Sequence, residues 1–119
     1  MKLRALRGAI TVEDNESGAI LSATEELVLA VLERNGLGAD DLVSCIFTVT
    51  DDLDAEFPAV AARRIGLDNV PLLCAREIPV PGSLPRVIRV LVHCYSPDEP
   101  KHVYLREAAK LRKDLEAAQ

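Results

Sequence analysis

The run Val87-Ile88-Arg89-Val90-Leu91-Val92 constrains this chain more than any other stretch. Apolar and mostly β-branched, it reads as a strand buried on both faces. An arginine stands in its middle. A guanidinium cannot escape burial by losing its proton, because its pKa stays above about 12. Leaving that charge buried and unpaired is costly. Arg89 therefore needs an anion, and two sources are open. One is a carboxylate of the chain itself, such as Glu77. The other is a ligand bound from outside.

Composition removes several classes of ligand. A chain of 119 residues is the size of one domain with one core. Its formal net charge of −5 provides no basic field for DNA or RNA, and 3% aromatic residues offer little for base stacking. Arg outnumbers Lys among the 14 basic residues, which suits bidentate grip on carboxylates. Cys45, Cys74 and Cys94 cannot all pair and form no C-x-x-C, so a reducing compartment is expected and a zinc site is not. His93 and His102 do not alter that. Met1-Lys2-Leu3-Arg4 is not followed by an apolar signal core. The longest apolar run, Leu27 to Leu32, is too short to span a membrane. The expected location is the cytoplasm.

Taken in order, Leu3 to Val12 predicts a strand in which Arg7 shares its parity with Leu3, Ala5 and Ala9, while Arg4 points the other way. Gly8 after Arg7 lets something approach the backbone closely. The polar break Glu13 to Ser17 supplies helix-capping groups. Ile20, Ala23, Leu27, Ala30 and Val31 then recur at helical spacing, and Gly36 ends a helix from about Ser17 to Asn35. Leu42 to Thr50 alternates as a second strand. An acidic loop, Thr50 to Asp54, follows. Phe57-Pro58-Ala59 opens a short helix closed by Gly66, with Arg63 near the face of Glu56. Val70 to Ile78 is a third strand, in which Cys74 and Glu77 differ in parity. These two can face one site only if that strand bends or ends between them. Arg86 to Tyr95 is the fourth strand, and Val103 to Leu115 the last helix. The order β-α-β-α-β-β-α is an α+β arrangement, a mixed β-sheet with helices packed on one side. Such a small sheet leaves apolar surface over, which oligomerisation would cover.

Five segments stand together: Arg4-Ala5-Leu6-Arg7-Gly8-Ala9; Phe57-Pro58-Ala59; Cys74-Ala75-Arg76-Glu77; Gly82 with Leu84 and Ile88-Arg89-Val90; and His102-Val103-Tyr104-Leu105 with Leu111-Arg112. In this order and spacing, from residue 3 to about 115, the set resembles the AroH-type monofunctional chorismate mutases. The resemblance implies one chorismate mutase domain over residues 1–119. It also implies a homotrimeric pseudo-α/β barrel, a ferredoxin-like arrangement with sites at the subunit interfaces. The implied reaction converts chorismate to prephenate in aromatic amino acid biosynthesis, with no cofactor and no metal.

The resemblance also assigns roles. Arg89 would point a fixed donor at the ether oxygen of the breaking bond, so that its anion comes from outside. Arg7 would bind a substrate carboxylate and Tyr104 would hydrogen-bond one. Glu77 and Cys74 would contact the ring hydroxyl, with the backbone around Leu72 and Leu73 lining the same wall. Phe57, Ala59 and Arg63 would come from a neighbouring subunit, and Leu111 and Arg112 would help close the mouth. Arg89, Glu77 and Arg7 are the implied catalytic set. Two positions depart from the family pattern: Val60, where a lysine can occur, and Lys113, where a proline is expected. Two other classes compete on a similar scaffold, an imine deaminase-like hydrolase and a non-catalytic metabolite-binding trimer.

Overall fold

A computed structural model describes residues 1–111. Its centre is a five-stranded mixed sheet. Strand β1 spans Lys2–Thr11, β2 Leu42–Val49, β3 Leu72–Arg76, β4 Val87–Ser96 and β5 Val103–Leu105, in the spatial order β3-β2-β4-β1-β5. The middle strand β4 runs antiparallel to both β1 and β2, and the outer pairs β2–β3 and β1–β5 are parallel. The central place falls to the β-branched run around Arg89.

Helices α1 (Ser17–Arg34) and α2 (Pro58–Arg64) both pack on one face of this sheet. The Glu16 carboxylate caps α1, accepting from the backbone N–H of Gly18 and Ala19 at 3.0 and 3.2 Å. At its other end Gly36 takes φ +60°, and Leu37 N–H returns to Leu32 O at 2.9 Å. Ile20, Ala23, Thr24, Leu27, Val28 and Val31 are buried against Leu6, Ile10, Cys45, Phe47, Ile88 and Val90 of the strands. Gly8 explains how closely α1 lies. A Cβ there would meet Leu27, Val31 and Val90 at 3.1–3.2 Å. The close approach anticipated at Gly8 is thus made by the helix.

Among the described residues no helix is laid across the opposite face, and a small cluster forms there, of Ala9, Val87 and Ala108 with Leu84, Tyr104 and Leu111 packed against it. This corrects the expectation for β4. Ile88, Val90 and Val92 are buried under the helices, whereas Arg89, Leu91 and His93 are only half-buried and Tyr95 is exposed.

The C-terminal segment differs in part. The first half of the helix expected from Val103 is instead β5, a short strand on the edge of β1, followed by a turn of 3-10 helix at Arg106–Ala108, and only over residues 109–111 is the chain helical as expected. The helical spacing of Leu105, Ala108 and Leu111 disguised it, and a three-residue strand is too short to show alternation. The part of that expected helix from Arg112 to Leu115, Lys113 included, lies outside the described residues.

The acidic loop has a structural use. Arg86 takes φ +52°, a conformation unfavourable for a side-chain-bearing residue. It is held by Asp52, whose two carboxylate oxygens accept the Arg86 N–H at 3.2 and 3.0 Å, and by its own Nε donating to Val12 O at 3.1 Å. Thr50 Oγ1 accepts the next N–H, from Val87, at 3.0 Å. These bonds fix where β4 begins, two residues before Arg89.

Candidate active site

On the uncovered face, Arg7 and Ala9 of β1, Ile46 and Thr48 of β2, Arg89 and Leu91 of β4 and Tyr104 of β5 line a cavity of about 200 Å³. Strand pairing brings them together. Arg89 lies opposite Ala9 on one side and Thr48 on the other, and Tyr104 is the partner of Ala9 across the next ladder. Side chains two apart share a face, so Arg7 and Leu91 follow. Arg7 donates through a terminal nitrogen to Tyr104 Oη at 3.3 Å, and its backbone N–H donates to His102 Nδ1 at 3.0 Å. The cavity therefore carries two guanidinium groups, a phenol and the Thr48 hydroxyl on an otherwise apolar floor.

The anion required by Arg89 has one source among the described residues. Its Nε donates to both carboxylate oxygens of Glu77, at 3.0 Å each. Glu77 Oε2 also accepts the Thr48 hydroxyl at 2.7 Å. The two terminal nitrogens of Arg89 make no hydrogen bond among the described residues, and the side chain remains 39% exposed beside the cavity. The expectation that its anion comes wholly from outside is therefore corrected. One edge of the guanidinium is pinned internally.

Cys74 is not part of this group. The Glu77 N–H bonds Val49 O at 2.9 Å, continuing the β2–β3 ladder one step past Arg76. No bend intervenes. Cys74 keeps its own parity, packs toward the core and, with Phe57, Glu56 and Arg76, lines a different recess of about 320 Å³. Phe57 is 66% exposed at the start of α2. The side chain of Ala59 is buried in the core, so it offers a ligand only its backbone; Arg63 is exposed on α2. Leu72 packs against the core, whereas Leu73 is exposed opposite Ile46 on the uncovered side. Leu111 packs with Tyr104 on the cluster at the cavity's end, and Arg112 lies outside the described residues.

One chain thus unites Arg7, Glu77, Arg89 and Tyr104 and sets Phe57 and Cys74 apart. Sequence reasoning missed Thr48, Ile46 and Leu91 as site residues. Alternation alone marks their shared face, but their place beside Arg89 depends on a pairing register that a single sequence does not display. Among the described residues no group of three or more His, Cys, Asp or Glu could hold a metal ion. Burial, with the neighbouring Cys94 adding to it, pushes the Cys45 thiol up to about 11. The Cys94 thiol is also raised, by burial and then by the charge of Asp41.

The protein-family model described as "Chorismate mutase type I" matches residues 3–115. The chain is 58% identical over 122 residues to chorismate mutase AroH of Thermus thermophilus, covering 98% of this chain and 99% of that protein. It is 38% identical over 119 residues to chorismate mutase AroH of Bacillus subtilis (strain 168), covering 97% and 94% respectively. A solved chorismate mutase from Clostridium thermocellum superposes with a TM-score of 0.88 at 48% identity, covering 90% of this chain and 98% of that one.

Proposed function

The chain belongs to the chorismate mutase type I family, and from that premise we propose how its site works. The protein is an isomerase that converts chorismate to prephenate, a step of aromatic amino acid biosynthesis. The reaction is an intramolecular pericyclic (Claisen) rearrangement, so no proton moves and no nucleophile is needed. Its substrate is a dianion. The ether oxygen of the breaking bond gains negative charge before the new carbon–carbon bond is complete.

The observation that carries the reading is the half-engaged guanidinium of Arg89. Glu77 fixes its Nε edge, and the terminal nitrogens stay available beside the cavity. A rigid donor aimed at the ether oxygen binds the transition state more tightly than the ground state. One such donor is typically worth about 3–4 kcal/mol. The lower end of enzymatic acceleration needs about 8 kcal/mol. Holding the substrate in its compact reactive conformer supplies the rest. Arg7 takes a carboxylate, with Tyr104 beside it to orient the guanidinium and hydrogen-bond the same group. Glu77 accepts from the ring hydroxyl.

Phe57, Ala59, Arg63 and the Cys74 recess serve the cavity of a neighbouring copy, with the backbone at Leu72 and Leu73 forming part of the wall. Three copies close their uncovered faces into a pseudo-α/β barrel with three sites at the interfaces. Exposed apolar residues on that face support this: Leu3 and Tyr95 are paired across β1 and β4, and Leu73 stands at its far edge. Leu111 and Arg112 close the mouth. The three free cysteines suit a reducing cytoplasm, and no helix among the described residues is long and apolar enough to cross a membrane.

Subunit mixing tests the shared site. Arg89→Ala and Phe57→Ala variants, each impaired in turning chorismate into prephenate, are dissociated, mixed and reassembled. Sites split between copies regain activity in the mixture, because some interfaces then carry two intact halves. No regain from fully mixed assemblies overturns the shared site.

A further inference from the structure

We propose that Thr48 is a positioning residue, whose hydroxyl holds the Glu77 carboxylate so that it engages only the Nε edge of Arg89 and leaves the terminal nitrogens for substrate. The inference deepens the reading above and rests on the role given there to Arg89. Three observations carry it. Thr48 lies directly opposite Arg89 in the β2–β4 ladder. Its hydroxyl donates to Glu77 Oε2 at 2.7 Å. Both oxygens of the same carboxylate meet Arg89 at Nε, at 3.0 Å each.

That last geometry is not the one a free carboxylate prefers. Carboxylate and guanidinium pair most strongly as a two-pronged fork, one oxygen on each of two nitrogens. The terminal torsion of a glutamate is soft, so little but its neighbours sets its angle. Released from Thr48, the Glu77 carboxylate can swing toward a terminal nitrogen of Arg89. It would then occupy the donor that the ether oxygen requires. Thr48 holds the carboxylate back at a point where ligand and carboxylate compete for one cation. Sitting on a strand, the hydroxyl is itself rigidly placed, since a β-branched side chain has few χ1 options.

Thr48→Val keeps the shape and strand preference while deleting the hydroxyl. The expected result is a kcat lowered roughly tenfold, the scale of one hydrogen bond to a charged group. KM for chorismate should change by less than about threefold, because the lost interaction belongs to the transition state. Thr48→Ser restores most of the rate. In a Glu77→Ala background the Thr48→Val substitution adds no further loss, since the two act as one unit. Thr48→Ala, which adds no atom, takes the place of Thr48→Val if that variant does not fold. Wild-type kcat in the hydroxyl-less variants overturns the proposal, as does a Thr48→Ser as poor as Thr48→Val, or an undiminished loss in the Glu77→Ala background. The underlying reading fails separately: an active Arg89→Ala removes both, whereas an inactive Arg89→Ala beside a fully active Thr48→Val removes only this proposal.

Discussion

The two faces of one sheet carry opposite arrangements of the same strands. Under the helices, Leu6, Ile10, Phe47, Ile88 and Val90 interdigitate with α1 and are almost wholly buried. On the other face, Arg7, Thr48, Arg89 and Tyr104 stand one residue out of step with them and surround a cavity. A strand's period of two allows this division: adjacent residues can be specialised independently, one for folding and the next for chemistry. The covered face is where a volume change costs stability. The uncovered face tolerates partly satisfied charge, which in the proposed trimer a ligand or another copy would complete.

Substitutions on each face can break that division. Phe47 is fully buried, and Phe47→Ala should cost about 3–5 kcal/mol of folding stability, measured by denaturant unfolding. A loss under about 1 kcal/mol would mean that the covered face is not the folding face. On the other side, Arg89→Lys should keep the melting temperature but lose at least about tenfold in kcat, because an ammonium lacks the planar fork that serves Glu77 and substrate together. Gly8 tests the boundary. Gly8→Ala places a methyl 3.1–3.2 Å from Leu27, Val31 and Val90. Overpacking of this kind costs about 1–3 kcal/mol, and the loss should appear in unfolding well before it appears in turnover.

The smallest effect concerns thiols. Cys45, held up at about 11, and the buried Cys94 should resist alkylation in the folded protein at pH 8, since the thiolate is the reactive form. Cys74, half-exposed in its recess, should label first, as peptide mapping would show. Faster labelling of Cys45 would contradict the packing assigned to the covered face.

Much of this was legible from residue pattern. The alternation in Leu3–Val12 separates Arg7 from Arg4, and in the structure Arg7 reaches the cavity while Arg4 bonds Glu99 at 3.2 Å. Helix α1 begins at Ser17, inside its polar signal, and ends at Arg34, two residues before Gly36. What could not be read was pairing. Thr48 meets Arg89 through a ladder between segments 41 residues apart in register, and nothing local announces it. Strand β5 was hidden for a related reason: three residues on an edge owe their conformation to β1, not to their own propensity. Cys74 shows a third limit. Its proximity to Glu77 in sequence suggests one site, yet the unbroken ladder sends it to the opposite face. In the proposed trimer its partner site would belong to another copy, which no single chain displays.

In the proposed mechanism Arg89 acts on charge that exists only at the transition state. The most direct test of this is the turnover of chorismate by Arg89→Ala, read beside the assembly state and melting temperature of the same sample. The expected fall in kcat is about a hundredfold or more, with folding and assembly unchanged. A kcat within about threefold of the parent enzyme would contradict it, since a guanidinium that contributes so little cannot be the donor to the ether oxygen.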